Sequence, residues 1–229
     1  MKCIILAGGR GTRISEISKD IPKPMIKVLG TPIIHRIMKH YSAYGFNDFI
    51  IAAGYKKKII SNYFSKKKIK GWNVKVVDTG LDTMTGGRLK RLKKYIKEEN
   101  FMMTYGDGLS NVNLKKLLKH HLKFKKYATL TAVRPPARFG AIKLLKNQVT
   151  YFKEKSKLDE GWINGGFFVF HKKIFDFIKN DKTYLEREPL QYISKKKQLY
   201  AFKHNGFWQC MDNLRDKEIL EKELKKNAL

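Results

Sequence analysis

Glycines follow the first apolar run of the chain, and they form the segment where phosphate chemistry is most readily expected. The run Lys2–Ala7 is β-prone, and Gly8, Gly9 and Gly11 come directly after it. Residues without side chains let backbone N–H groups approach phosphate oxygens, and Arg13 adds a charged fork suited to phosphate. No Gly-Lys-Ser/Thr follows, and the third glycine of a dinucleotide fingerprint is missing. A plain tight turn is the alternative interpretation of this loop.

Lys23 stands ten residues after Arg13, between Pro22 and Pro24. The two prolines fix the backbone on either side of the lysine. A lysine held beside a phosphate loop can stabilise negative charge that develops in a transition state. Taken alone, Pro-Lys-Pro is more typical of an extended surface connection, but its closeness to the glycine loop favours a catalytic role.

Two aspartates are candidate ligands for a metal ion. Asp107 lies between Gly106 and Gly108, after an apolar run, and Asp212 follows the segment that begins at Gly206. Magnesium takes one or two protein carboxylates and completes its shell with phosphate oxygens and water. Either aspartate alone could be a turn or cap residue. Together with the glycine loop they predict a nucleotide–Mg²⁺ site.

The first two-thirds of the chain alternate between strand and helix patterns. One helix should have Thr31 as its N-cap and Pro32 as its first residue, and should end near Gly45; others are expected over 59–64, 89–96 and 114–122. The expected strands are Lys2–Ala7, Phe49–Ala53, Val74–Val77, Phe101–Tyr105 and Ala128–Val133. This alternation predicts an α/β fold: a doubly wound, mostly parallel, Rossmann-like mixed sheet with helices on both faces.

The remainder is less regular, but no repeat or linker separates it, so residues 1–229 are expected to form a single domain. The expected strands are Ala141–Leu144, Val149–Lys153, Trp162–Phe170 and Gln198–Phe202, and the expected helices are Lys172–Asn180, Glu188–Ser194 and Leu214–Lys226. His120 and His121 fall on a lysine-rich helix, where a solvated face is expected.

The net charge of +29 raises the possibility of a polyanion partner. The lysine clusters are scattered through the chain, which favours a lysine-rich solvated surface over one nucleic-acid-binding stripe. A basic nucleic-acid-binding protein stays the competing class, although no helix-turn-helix, RNA-binding aromatic motif or zinc module is recognisable. The two cysteines, Cys3 and Cys210, do not have the pattern of a disulfide framework or of a metal-binding cluster. No run has the ~18 apolar residues of a membrane span, and the stretch Cys3–Ala7 is too short for a signal peptide, so a cytoplasmic location is expected.

These motifs resemble the glucose-1-phosphate cytidylyltransferases of the sugar nucleotidyltransferase superfamily. The resemblance covers nearly the whole chain in order, through segments 1–25, 78–91, 104–108, 138–140, 164–169 and 206–217. The runs Met84-Thr85-Gly86-Gly87-Arg88 and Phe207-Trp208-Gln209 indicate the cytidylyl branch. The resemblance implies Mg²⁺-dependent transfer from CTP to glucose 1-phosphate, for the synthesis of surface polysaccharide. Another nucleoside triphosphate paired with a hexose or heptose phosphate is the alternative.

The resemblance also implies a role for individual residues. Residues 1–135 would bind the nucleotide and 136–229, an irregular α+β part, the sugar. The nucleotide contacts would be Leu6, Ala7, Gly8, Gly9, Gly11, Thr12, Arg13, Lys23, Thr83, Gly86, Arg88, Tyr105 and Gly106. Arg13, Lys23 and Asp107 would be catalytic, and Asp107 and Asp212 would hold Mg²⁺. Glu154, Lys155, Asn164, Gly165 and Trp208 would face the sugar phosphate. A homo-oligomer is expected, with no specific nucleic acid and no membrane as partner.

Overall fold

A computed structural model describes residues 1–11, 20–135, 141–153 and 161–227 of the chain. Its strands are β1 (Lys2–Ala7), β2 (Lys27–Val28), β3 (Thr31–Pro32), β4 (Asp48–Ala53), β5 (Asn73–Asp78), β6 (Asn100–Tyr105), β7 (Gly108–Ser110), β8 (Ala128–Val133), β9 (Ala141–Leu145), β10 (Gln148–Lys153), β11 (Ile163–His171), β12 (Leu199–His204) and β13 (Trp208–Cys210). Its α-helices are α1 (Ile33–Ala43), α2 (Lys57–Lys66), α3 (Thr85–Arg91), α4 (Leu114–Phe124), α5 (Glu188–Lys195) and α6 (Leu214–Asn227). Short 3₁₀ turns cover Lys23–Met25, Lys93–Tyr95 and Lys172–Phe177.

Seven strands form one mixed sheet in the order β12-β8-β11-β6-β1-β4-β5. All neighbouring pairs are parallel except those of β11, which runs antiparallel to both β6 and β8. Because parallel strands carry their carboxyl ends to one edge of the sheet, the loops after β1, β4, β5 and β6 meet there. The mostly parallel, mixed sheet predicted from the sequence is confirmed.

Alternating side chains of β1 feed two separate cores, one on each face of the sheet. Cys3, Ile5 and Ala7 pack with residues of α1, α2, α4 and α6. Ile4 and Leu6 pack on the other side, with residues of α3, α5 and the 172–177 turn. A strand buried on both faces needs this continuous apolar run rather than an alternating one. Helices therefore cover both faces, as expected.

Some predicted element boundaries are wrong. Thr31 and Pro32 do not begin a helix: they pair with β2 as strand β3, and Pro32 has the extended backbone of an N-cap. The third helix is α3 alone, and a 3₁₀ turn follows before Ile96 becomes extended. The helix predicted over 172–180 is the shorter 3₁₀ turn Lys172–Phe177. Within the described ranges no helix combines the length and the apolar character that crossing a membrane requires.

The solvated face expected at His120–His121 is wrong for His121, which is only 1% exposed. Its Nδ1 lies 3.0 Å from Thr129 Oγ1 and its Nε2 lies 3.1 Å from Asn100 Oδ1. Consecutive helical side chains point in different directions because a helix rotates by about 100° per residue, and the rotation turns His121 towards the sheet. His121 is therefore a core histidine with both ring nitrogens paired.

We expect the protein to lose stability in mild acid through His121. Burial, together with the charges of His171 and His120, lowers the pKa of His121 from 6.5 to about 4. Between those two pH values the unfolded chain binds a proton at His121 that the folded chain does not bind. The contribution of His121 to stability is therefore complete above pH 6.5 and is lost as the pH falls towards 4. This one group should remove about 3 kcal/mol from the free energy of unfolding.

The measurement is chemical denaturation at a series of pH values for the wild type and for His121→Gln, whose amide can bond the same two partners. The wild type should show the steeper loss between pH 6.5 and 4. Parallel curves for the two proteins would contradict the prediction.

Candidate active site

A cavity of about 410 Å³ opens at the edge of the sheet where β1 and β6 end. Its lining includes these residues singled out from the sequence: Leu6, Ala7, Gly8, Gly9, Gly11, Lys23, Thr83, Arg88, Tyr105, Gly106, Asp107 and Asp212. Thr12, Arg13, Glu154 and Lys155 lie outside the described residues. The structure thus brings the glycine loop, the lysine and both aspartates to one cavity.

The glycine loop and the loop after β6 run side by side. Leu6 pairs with Tyr105 in the parallel ladder, and Gly106 N–H donates to Leu6 O over 3.0 Å. Gly11 has a φ of 66°, a left-handed conformation that a side chain would strain. These contacts place Asp107, one residue further on, at the mouth of the loop.

Arg88 is buried beneath the glycine loop at 4% exposure. Its guanidinium donates to Gly8 O at 2.9 Å, Gly80 O at 2.6 Å and Leu81 O at 3.1 Å, and to Thr79 Oγ1 at 2.8 Å. Burial, helped by the charge of Arg91, lowers its pKa below the ordinary value. The side chain ties together the loops that follow β1 and β5. Its contact with the nucleotide stays a prediction.

Replacing Arg88 with lysine should destabilise the protein by about 2–4 kcal/mol, because one ammonium group cannot span carbonyls on several sides. If the glycine loop binds a nucleotide, as the sequence predicts, the KM for that nucleotide should rise as the loop loosens. Arg91→Lys is the matched control, since Arg91 is 43% exposed in its ion pair with Asp181 and should cost about 1 kcal/mol or less. Denaturation and steady-state kinetics measure both effects. Equal losses in the two variants would contradict the role given to Arg88.

A short antiparallel ladder brings the two aspartates together. β7 pairs with β13, with Gly108 opposite Cys210, and Met211 N–H donates to Asp107 O over 2.9 Å. Asp107 immediately precedes β7 and Asp212 follows β13, so both reach the same end of the ladder. The two carboxylates therefore face one point from distant parts of the chain.

Lys23 occupies the point between the two carboxylates. Its Nζ lies 2.7 Å from Asp107 Oδ2 and 2.8 Å from Asp212 Oδ1. The lysine begins a 3₁₀ turn after Pro22, and its side chain is 11% exposed. Burial lowers the pKa of Lys23, but Asp107 and Asp212 more than offset this and hold it above the ordinary value. The group is a fixed cation beside the glycine loop.

Asp216, which the sequence interpretation did not single out, holds Asp212 in place. It is 4% exposed; its Oδ2 accepts from Asp212 N–H at 2.9 Å and its Oδ1 accepts from Gln209 Nε2 at 3.2 Å. The possible ligand atoms of Cys210, Asp212 and Asp216 lie within 4.8 Å of one another. Burial, with the charge of Asp212, raises the pKa of the Cys210 thiol to about 12. The thiol Sγ lies 3.6 Å from Asp212 Oδ2, to which it can donate a hydrogen bond.

The three described residues predicted to face the sugar, Asn164, Gly165 and Trp208, form a second group outside the lining of the cavity. Trp208 Nε1 donates to Gly165 O at 2.7 Å, and Asn164 Oδ1 accepts from Gly166 N–H at 2.9 Å. Gly165 has no room for a side chain, since a Cβ there would lie 2.8 Å from Val133 Cγ1. Trp208 thus fixes the irregular part of β11 that carries Asn164.

The structure does not bring Gly86, which was predicted to contact the nucleotide, into the wall of the cavity. It is not among the lining residues, and a Cβ there would lie 2.7 Å from the carbonyl oxygen of Thr183. Its backbone N–H donates to that same oxygen over 3.0 Å. The glycine allows the segment 181–187 to pack closely against the start of α3.

Sequence reasoning missed several residues of the site. Pro24, Met84, Thr85 and Tyr184 line the cavity, and Glu186 bonds to two of its walls. The sequence offered a signal for three of them, since the runs singled out from the sequence contain Pro24, Met84 and Thr85. No motif marks Tyr184 or Glu186, because both reach the cavity only through tertiary packing.

Comparison with known proteins places these features in a family. Residues 2–215 match the model of the nucleotidyl transferase family. The glucose-1-phosphate cytidylyltransferase of Salmonella typhimurium is 46% identical, with 96% of this chain and 95% of that protein covered. The probable glucose-1-phosphate cytidylyltransferase of Bacillus subtilis is 39% identical, with 96% and 94% covered. Among solved structures, HddC from Yersinia pseudotuberculosis, complexed with GMP-PN, is similar with a TM-score of 0.78 at 26% identity, covering 97% of this chain and 99% of that one.

The family model spans nearly all of the chain, and the cavity described above lies within the matched residues. The chain belongs to the nucleotidyl transferase family.

Proposed function

We propose that the protein joins CTP and α-D-glucose 1-phosphate to give CDP-glucose and pyrophosphate. The observation that carries the proposal is the contact of Lys23 with both Asp107 and Asp212 beside the glycine loop. It is supported by the 46% identity to a glucose-1-phosphate cytidylyltransferase over almost the full length of both chains. Residues 1–135 would bind CTP and residues 136–229 the sugar phosphate.

In this mechanism a phosphate oxygen of the sugar 1-phosphate attacks the α-phosphorus of CTP, and pyrophosphate leaves in line. No protein nucleophile is needed, so the chain contributes positioning and charge. Backbone N–H groups of Gly8, Gly9 and Gly11 would receive the triphosphate, and Arg13 would hold its β- and γ-phosphates. Lys23 Nζ would offset the negative charge that grows on the α-phosphate. Asn164, steadied through Trp208 and Gly165, would orient the sugar.

The acidic pair fits a magnesium ion. Mg²⁺ prefers oxygen ligands and takes few protein carboxylates, and here two carboxylates already share one cation, Lys23 Nζ. Asp107 and Asp212 would hold the ion, which when bound neutralises charge on the phosphate oxygens. Asp216 would keep Asp212 aimed at it through the backbone N–H bond.

The test is a panel of four nucleoside triphosphates against several sugar 1-phosphates, scored by pyrophosphate release and product mass. CTP with glucose 1-phosphate should give the highest kcat/KM. A clear preference for GTP with a heptose phosphate would overturn the proposal, and this outcome is included because a heptose 1-phosphate guanylyltransferase of Aneurinibacillus thermoaerophilus is 31% identical.

The net charge of +29 motivates one further measurement. We expect no specific nucleic-acid partner, so binding to duplex DNA or RNA should be weak at physiological salt and insensitive to sequence. Tight, steeply salt-dependent binding without nucleotide turnover would instead favour the nucleic-acid-binding class. A cytoplasmic location and self-association remain part of the proposal, and sedimentation of the purified protein tests the second.

A further inference from the structure

We propose that Glu186 is a positioning residue that links the nucleotide side of the cavity to the sugar side through two hydroxyl groups. The nucleotide side is the wall formed by Thr83, Met84 and Thr85, and the sugar side is the wall that Tyr105 forms next to Asn164. The substrate given to each side rests on the proposed function. Glu186 lies in the segment between the 172–177 turn and α5, outside every motif that the sequence singled out.

The carboxylate of Glu186 accepts one short hydrogen bond on each oxygen. Tyr105 Oη donates to Oε1 at 2.6 Å, and Thr85 Oγ1 donates to Oε2 at 2.6 Å. Hydrogen bonds from a hydroxyl to an ionised carboxylate are short, and they are stronger than bonds between neutral groups. Each oxygen thus holds a different wall of the cavity.

The Thr85 bond fixes the nucleotide side. Thr85 begins α3 and lines the cavity beside Thr83 and Met84. Its Oγ1 also accepts from Leu185 N–H at 2.9 Å, so the hydroxyl proton is directed at Glu186. A loss of the carboxylate would leave the Thr85 side chain without its acceptor and loosen this wall.

The Tyr105 bond fixes the sugar side. Tyr105 lines the cavity two residues before Asp107, and its hydroxyl also bonds the side chain of Asn164. Its ring lies against the backbone of β11, where a Cβ on Gly166 would lie 2.7 Å from Tyr105 Cδ2. A continuous path therefore runs from Asn164 through Tyr105 and Glu186 to Thr85.

The packing of the segment does not depend on this carboxylate. Met84 N–H donates to Asp181 O at 2.8 Å, and Gly87 N–H donates to Thr183 O at 3.2 Å. Arg91 and Asp181 form a two-bond ion pair at 2.9 and 2.6 Å. These contacts should keep the segment in place when Glu186 changes, so the loss should fall on substrate positioning rather than on folding.

The experiment is a set of variants assayed by steady-state kinetics with CTP and glucose 1-phosphate. Thr85→Val should raise the KM for CTP most, and Tyr105→Phe should raise the KM for glucose 1-phosphate most. Glu186→Ala should raise both, with kcat/KM lower by roughly 10–100-fold, as expected for misplaced substrate-binding groups. Glu186→Gln keeps an oxygen for Tyr105 and should recover part of the loss. Glu188→Gln is the matched control, because the Glu188 side chain is 66% exposed, and it should behave like the wild type.

Two further readouts make the inference decisive. In the Glu186→Ala background, adding Thr85→Val or Tyr105→Phe should cost little more, whereas additive losses would overturn the link. A double-mutant cycle between positions 85 and 105 can also be measured from the free energy of unfolding of the ligand-free protein. The two positions should show a coupling energy when residue 186 is glutamate and none when it is alanine. If the wild type makes no CDP-glucose, the proposed function fails, and the unfolding cycle still decides whether Glu186 joins the two walls.

Discussion

Lys23→Met is expected to lower kcat by about 10²–10³-fold, the loss typical of removing one preorganised group that offsets transition-state charge. The variant should still fold, since methionine keeps the apolar stem of the lysine against Pro24 and the glycine loop. Turnover is measured with saturating CTP and glucose 1-phosphate, and circular dichroism checks the fold. Lys27→Met is the control, because Lys27 is exposed on strand β2 and should keep normal turnover.

The same variant should bind magnesium more tightly while it works more slowly. In the wild type the Lys23 ammonium and an incoming ion compete for Asp107 and Asp212, whereas methionine leaves the two carboxylates to the ion. The thermal midpoint is measured at a series of magnesium concentrations. At each concentration magnesium should raise the midpoint of the variant more than that of the wild type. Near-normal turnover would remove Lys23 from the mechanism, and unchanged magnesium affinity would contradict the competition.

Asp212→Asn is expected to lower kcat/KM by roughly 10³-fold, or about 4 kcal/mol, because the amide keeps the shape of the side chain but loses half of the charge that would hold the metal. The apparent magnesium requirement should rise in parallel. Asp107→Asn should behave similarly. Asp176→Asn, on the exposed part of the 172–177 turn, provides a control with the same chemical change.

The two aspartate variants also test whether the residues act as one unit. If Asp107 and Asp212 hold a single ion, the double variant should be little worse than either single one, since groups that share a task lose their effect together. Losses that multiply would indicate two independent roles. A variant that kept the magnesium dependence of the wild type would exclude that residue as a ligand.

Local patterns were sufficient to predict the parallel sheet and the position of the glycine loop. Strands such as β1, β4 and β6 are continuous apolar runs, and their alternation with helical patterns leaves few possible topologies. Because such strands end at one edge, the meeting of Gly8 and Asp107 followed from the sheet itself. The approach of Asp212 was expected only from the pairing of carboxylates around a metal, and the structure places it there.

The remaining features depend on contacts that no local pattern encodes. β7 and β13 are each three residues long, which is too short to show an alternation of polar and apolar residues. Their pairing nevertheless brings Asp212 next to Asp107. Arg88 was predicted to contact the nucleotide, but nothing local shows that carbonyls of two loops surround it. The inward turn of His121 and the reach of Glu186 similarly depend on the packing of distant segments.

The insertion of β11 between β6 and β8 has a consequence for synthesis on the ribosome. The strands β1, β4, β5 and β6 can assemble as soon as the first 105 or so residues have emerged, but β8 has no neighbour until β11 is made. At typical elongation rates the interval lasts roughly 3–13 s. Throughout it, the edge of the apolar strand β6 is bare in a nascent chain that already contains the glycine loop. Conditions that slow translation over residues 106–171 should therefore increase aggregation more than an equal delay later in the chain.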